Sequence, residues 1–164
     1  MPPNPHFTPV PLDKAYRLLN HGPTVLVSAS HAGEDNAMAA AWACALDFAP
    51  PKVTVVLDKA TRTRQLVEAS GHFALQLPTR AMAALTVGIG TDSAKTHPDK
   101  LQRHGVELFE MPGNHPAQST PPLVQGCAAW LVCSLINEPH NQQTYDLFIG
   151  EVVAARADEC IFKH

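Results

Sequence analysis

The chain predicts a mainly β protein with minor α content: a closed antiparallel barrel of about six strands, joined by hairpins and capped by short helices. Three observations carry this. Segments rich in Val, Ser, Ala and Thr recur along the chain. Turn residues follow them closely, and stretches with helical apolar spacing are few and brief. A barrel of this size fills its interior with its own side chains, so a ligand belongs outside it, against a surface or a subunit interface.

Taken in order, residues 1–11 carry Pro2, Pro3, Pro5, Pro9 and Pro11 and read as an extended arm. Asp13 to Asn20 reads as a short helix with Ala15, Leu18 and Leu19 apolar, ended by His21-Gly22-Pro23. Thr24 to Ser30 is a strand. A turn at Gly33-Glu34-Asp35 leads to a second strand from Asn36 to Leu46, making a hairpin. Pro50-Pro51 breaks the chain before a third strand, Val53 to Leu57, whose continuous apolar and β-branched run predicts burial on both faces. Thr61 to Ala69 is a helix, with Thr61 as cap, Leu66, Val67 and Ala69 as its apolar side, and Gly71 in the left-handed position beyond its end. His72 to Leu77 is a strand stopped by Pro78. A weaker helix covers Ala81 to Thr86, and another starts at Pro98 and stops before Gly105. Val106 to Glu110 is a short strand. Met111 to Pro122, with four prolines, is a loop long enough to be functional or flexible. Two long strands follow, Pro122 to Asn137 and Tyr145 to Ala155, and Cys160 to Phe162 starts another.

The length of 164 residues suits one domain, over 12–164 after the arm. Charged residues are only 16% of the chain, against about 25% in ordinary globular domains, which predicts a buried interface and hence a homodimer. A net charge of -3 excludes a global basic field, so binding to nucleic acid is not expected. No run approaches the roughly 20 apolar residues of a membrane span, and Met1-Pro2-Pro3-Asn4-Pro5 is unlike a signal peptide; the expectation is a cytoplasmic protein. Cys44, Cys127, Cys133 and Cys160 form no Cys-x-x-Cys pair and read as reduced, buried small hydrophobes.

The chemistry concentrates in two segments. Asn36-Ala37-Met38-Ala39-Ala40-Ala41-Trp42 is crowded with alanine, a residue depleted in strands, which leaves space for a flat partner. Asp58-Lys59-Ala60-Thr61-Arg62-Thr63-Arg64 puts cations and hydroxyls at a strand-to-helix junction, where unpaired helix N–H groups already favour an anion. Together they predict a cradle for a nucleotide-type cofactor. The alternatives are a solvated first helical turn and an alternating strand with a core Trp. Positive charge at a helix start opposes the macrodipole, which counts against the first. The nine histidines include His97, His104, His115 and His140 in separate loops or helix ends, with no ligand spacing, so no metal is expected. A Gly-x-Ser-x-Gly elbow is absent, and Gly88-Ile89-Gly90 lacks the third glycine and the context of a dinucleotide fingerprint.

Asn36 to Trp42, Pro50-Pro51, Asp58 to Thr63, Ser70-Gly71-His72-Phe73 leading into Gln76-Leu77-Pro78, and Phe148-Ile149-Gly150-Glu151-Val152-Val153 together resemble the flavin reductase-like proteins, with flavoredoxins the nearer relatives. The likeness runs in order over roughly residues 20–157. It implies a six-stranded Greek-key split barrel binding FMN non-covalently near a homodimer interface. It places the phosphate and ribityl chain on Lys59, Thr61, Arg62 and Thr63, the ring along Asn36, Ala37, Met38, Ala39, Ala41 and Trp42, and Gln76, Leu77 and Pro78 nearby. No catalytic side chain is implied, because the flavin carries the chemistry. The implied activity is that of a flavin reductase using NADH or NADPH. The alternatives are a flavoredoxin-like carrier passing electrons to a redox protein partner, and a non-catalytic dimeric ligand-binding barrel. Two departures stand out: Thr144-Tyr145 occupies the place of an Asp-His pair common in these reductases, and a C-terminal segment is expected beyond His164.

Overall fold

A computed structural model describes residues 11–13, 18, 22–111, 120–136 and 140–158. The arm as far as residue 10, the helix expected over Asp13 to Asn20 apart from Asp13 and Leu18, residues 112–119 of the proline-rich loop, and the strand expected at Cys160 lie outside the described residues.

One antiparallel sheet organises the molecule. It contains β1 (Val25–His31), β2 (Glu34–Ala40), β3 (Ala43–Phe48), β4 (Pro51–Asp58), β5 (His72–Leu77), β8 (Ala129–Leu135) and β10 (Tyr145–Ala157) in the order β2-β1-β5-β8-β10-β4-β3, with the two-residue β9 (His140–Asn141) beside β10. A separate ribbon pairs β6 (Leu108–Phe109) with β7 (Leu123–Val124). The helices are α1 (Arg62–Ser70), α2 (Ala83–Thr91) after a 3-10 turn at Arg80–Met82, and α3 (Lys100–Arg103).

The strands wrap around an apolar interior built by alternation. Val25, Val27 and Ala29 of β1, Val53, Val55 and Leu57 of β4, Phe73 and Leu75 of β5, Cys133 of β8 and Phe148 of β10 pack together, and Leu66 and Val67 of α1 join them. Helix α1 has the predicted caps: the Thr61 hydroxyl accepts from the Arg64 N–H, and Gly71 at φ 70 ends it with its N–H on Val67 O. The outer faces of β1, β2 and β5 are covered too. Leu26 and Ala37 pack under Met82, Ile89 and Val124, while Ala74 and Val132 pack under Met111 and Leu123.

The barrel is split rather than closed. Strands β2 and β3 are neighbours in sequence but lie at opposite edges of the sheet. The expected continuous strand from Asn36 to Leu46 therefore breaks at Ala41-Trp42. Its physical reason is the register: Ala40 pairs with Val25, the first residue of β1, so β2 runs out of partner there. The chain crosses to the other edge, where the Trp42 carbonyl accepts from Val56 N at 2.9 Å and β3 takes up pairing with β4. Counting β2 and β3 as one bent segment recovers the six long strands expected; counted by pairing, the sheet has eight.

Other expectations need correction. Strand β4 alternates instead of burying both faces, with Thr54 and Val56 only partly covered. The long strand expected from Pro122 divides into β7 and β8 because Gly126, at φ 90, turns the chain between them. The helix expected over Ala81 to Thr86 runs later, as α2, and the one expected from Pro98 is the single turn α3. Cys44 is exposed, since β3 is an edge strand uncovered from Cys44 to Phe48, whereas burial pushes the Cys127 and Cys133 thiols up to about 12.

Gly150 marks a tight spot among the residues of the barrel interior. A Cβ there would lie 2.6 Å from Phe73 Cζ and 3.0 Å from Cys133 Cβ. Gly150→Ala should therefore cost about 1 to 3 kcal/mol through overpacking, each lowering the melting temperature by about 2 to 4 °C in a chain of this size. Calorimetry of the variant beside the wild type checks this; an unchanged melting temperature would show that the Phe73 ring has room to retreat.

Candidate functional site

The junction between β4 and α1 is set by local hydrogen bonding. The Asp58 carbonyl accepts from Thr61 N at 3.0 Å and Thr61 Oγ1 at 2.7 Å, and the Asp58 carboxylate accepts from Ala60 N at 2.7 Å. These bonds close a tight turn and deliver α1 with a capped start and no acidic residue in its first turn. Thr63 points inward and is fully buried, where its hydroxyl accepts from Asn36 Nδ2 of β2 at 3.0 Å.

The cations of this junction are bound to protein carboxylates. Arg62 donates from Nε to Glu34 Oε1 at 2.7 Å and from Nη1 to Gln65 at 3.0 Å, and its hydrogen bonds hold the Glu34 carboxyl below the usual range. Arg64 grips the buried Asp146 through Nε at 2.8 Å and Nη2 at 2.6 Å, and also reaches Glu68 at 3.1 Å. Lys59 turns to the β9 hairpin, donating to Asn141 Oδ1 and Gln142 O, with Asp146 at 3.6 Å.

Three clefts surround β2. One of about 220 Å³ lies between the start of α1 and the end of α2, with Asn36, Met38, Thr61, Arg62, Thr63 and Lys100 on its walls. A second, about 240 Å³, is bounded by Met38, Ala41, Trp42, Val56 and Tyr145. The third, about 380 Å³, lies between Ala39 to Ala41 and the exposed side of α2 at Val87 and Gly90. The first two share Met38, the last two Ala39 to Ala41, and the first and third Gly90 and Thr91, so they form one surface around the seam. Trp42 and Tyr145 stand with ring centroids 5.1 Å apart on its far side.

Small residues here also serve close packing. A Cβ on Gly90 would lie 3.0 Å from Ala39 Cβ, and one on Gly88 would lie 2.3 Å from His104 Nδ1. Gly88-Ile89-Gly90 thus belongs to a helix packed against β2 and His104.

Of the residues singled out in the sequence, Asn36, Met38, Ala39, Ala41, Trp42, Thr61, Arg62 and Thr63 meet around these clefts. Others do not. Ala37 is buried beneath α2. Gln76 is fully buried, donating to Ser28 Oγ at 2.7 Å and accepting from Val124 N at 2.6 Å, so it fastens β7 onto the sheet. Leu77 and Pro78 lead toward the 3-10 turn, outside the three clefts. Lys100 lines a cleft and was missed, being a single residue in a segment with no motif around it, while Tyr145, singled out only as a departure from an Asp-His pair, also lines one.

An antiparallel barrel split along one seam, with its clefts outside that seam and a capped helix start opening on them, defines the class of flavin reductase-like split barrels. The chain belongs to that family, matching the flavin reductase like domain over residues 17–164. It is 38% identical to the uncharacterized protein YddH of Escherichia coli, over 95% of this chain and 81% of that one. An FMN-binding domain of a flavin reductases-like enzyme from Shewanella baltica is 59% identical and superimposes with a TM-score of 0.79, covering 94% of this chain and 78% of that one. The flavoredoxin of Desulfovibrio vulgaris is 30% identical with a TM-score of 0.70, covering 87% and 73%.

The Asn36 to Thr63 bond is the buried tie between β2 and α1 at the cleft, beside the more exposed pair of Arg62 and Glu34. Asn36→Leu should leave a buried hydroxyl without its partner and lower stability by about 1 to 3 kcal/mol. Denaturant unfolding checks this, and a midpoint equal to that of the wild type would show that the tie contributes nothing.

Proposed function

We propose that the protein is an FMN-binding oxidoreductase that takes a hydride from NADH or NADPH, with the flavin held non-covalently around the seam. One observation carries this reading: the start of α1, free of acidic side chains, opens onto a cleft continuous with an uncharged edge of small residues. The residues fit the group. The first-turn N–H groups of Arg62 and Thr63 have no partner within the helix, and the macrodipole favours a phosphate beside them. Arg64 N is already capped by Thr61. Thr63 Oγ1 accepts from Asn36 and retains its own proton to donate.

The ring region follows from β2. No strand among the described residues pairs with its outer edge, so backbone N–H and C=O groups are available to the amide-like rim of a flavin. Met38, Trp42 and Tyr145 supply apolar surface beside it and limit the access of water. When bound, FMN supplies the chemistry by accepting a hydride or electrons at its ring. The resemblance to the Shewanella baltica FMN-binding domain supports the choice of flavin.

The same reading includes a homodimer. Leu46 and Phe48 on the β3 edge are 51% and 95% exposed, and α2 presents Ala83, Ala84 and Val87 outward without a charged residue. A helix apolar on all sides is normally covered. Sedimentation at micromolar concentration should give twice the chain mass; a stable monomer would remove the dimer from the proposal.

A second reading, an FMN electron carrier, is favoured by the likeness to a flavoredoxin and by Tyr145 standing where an Asp-His pair is common. Absorbance of the purified protein separates the two. A yellow protein bleached by anaerobic NADH or NADPH is a reductase; one bleached by dithionite alone is a carrier. A protein that stays colourless and binds no added FMN overturns both.

A further inference from the structure

Lys100 is a buried cation without a carboxylate partner. It is 2% exposed, and its ammonium donates to Ile89 O at 3.0 Å and Asp92 O at 3.2 Å, around the end of α2. Those two bonds leave one of its three N–H donors without an acceptor among the described residues. Among the described residues no carboxylate makes an ion-pair contact with it, as one does with each of Lys52, Lys59 and Arg62. Asp92 is the nearest in charge, but its carboxylate is taken by His104 at 2.9 Å and Arg103 at 3.6 Å. Burial of the ammonium is costly and pushes the Lys100 value down to about 8, against the partial offset of the Asp92 charge.

The position gives that charge a use. Lys100 lines the cleft of about 220 Å³ that also holds Thr61, Arg62 and Thr63 at the start of α1, with Asp92, bound to His104 and Arg103, on its lining as well. The other cation on its walls, Arg62, is already paired with Glu34. The cleft thus receives unpaired N–H groups from one element and, from another, an ammonium held only by backbone carbonyls. We propose that Lys100 is the counter-charge for the phosphomonoester of bound FMN, closing the phosphate site from the side opposite α1. This rests on the flavin reading above. It adds a residue that no sequence motif indicates, 37 positions beyond Thr63.

Protonation follows from the contact. A phosphate beside Lys100 raises its value above that of the free protein, so its contribution to affinity is complete below about pH 8 and is lost as pH rises through the bound value. The surrounding charges are Asp92 with Arg103 and His104 on its carboxylate, and Arg62 with Glu34 across the cleft; α2 contributes no ionisable group.

The test compares FMN with riboflavin, which shares the ring and lacks the phosphate. Lys100→Met keeps the length and apolar bulk of the side chain. It should weaken FMN about tenfold or more while changing riboflavin affinity less than about twofold. In the wild type, the affinity ratio of FMN to riboflavin should fall about tenfold between about pH 7 and pH 9.5, a range in which the phosphate, with its second pKa near 6, no longer titrates. Lys100→Met should abolish that fall. Equal losses for both flavins, or a melting temperature lowered with the ratio unchanged, would make Lys100 a cap for α2 and overturn the proposal. If Lys100→Met does not fold, the wild-type pH series decides alone, and a flat ratio overturns it. Failure of the wild type to bind either flavin would instead sink the FMN reading itself.

Discussion

The buried carboxylate of Asp146 fixes where α1 begins, and the site depends on that position. Asp146 lies on β10 opposite Leu57 of β4, one residue before the turn at Asp58. It is 1% exposed, and a carboxylate so placed must be paired and hydrogen-bonded to be tolerated. Arg64 supplies the pairing through two donors, with Lys59 behind at 3.6 Å. Because Arg64 sits in the first turn of α1, satisfying the carboxylate also sets the rotation of the helix. That rotation carries Thr63 to Asn36 and sends Leu66 and Val67 into the barrel interior.

The seam depends on the same geometry. A barrel closed by continuous pairing would present no backbone edge, and its outside would offer a ligand only side chains. Here β2 stops opposite Val25, where β1 begins, and the chain reaches β3 through Ala41 and Trp42. The edge of β2 is left between α1 on one side and α2 on the other. Gly90 against Ala39 lets α2 approach β2 closely, and the approach creates two of the three clefts. Small residues at the seam therefore answer two demands: room for helix packing, and room beside an unpaired strand edge.

Local rules made much of this legible. Thr61 and Gly71 bracketed α1 because capping chemistry depends on a few adjacent atoms. The six long strands were visible from composition and alternation. What the sequence hid depends on partners far along the chain. Nothing near Ala41 says that β1 begins only at Val25, so the break between β2 and β3 could not be seen. Gln76 looked like a site residue, yet its partners are Ser28 and Val124, each 48 positions away. The alternation of β4 was masked because Thr54 and Val56 are themselves β-branched and suit either face.

The charges teach the sharpest lesson. Lys59, Arg62 and Arg64 cluster in sequence as an anion site would, but each is held by groups from elsewhere: the β9 hairpin, Glu34, and Asp146 with Glu68. Their first task is to order the junction. Positive charge near a helix start opposes the macrodipole, and pairing each cation with a carboxylate or carbonyl removes that opposition. The unpaired N–H groups of α1 then remain as its attraction for an anion. A cluster of basic residues at a helix start can therefore order a junction while supplying little of the field that an anion beside it would meet. Among the described residues, the cation on the cleft with no carboxylate in contact is Lys100, which comes from a different element and carries no motif at all.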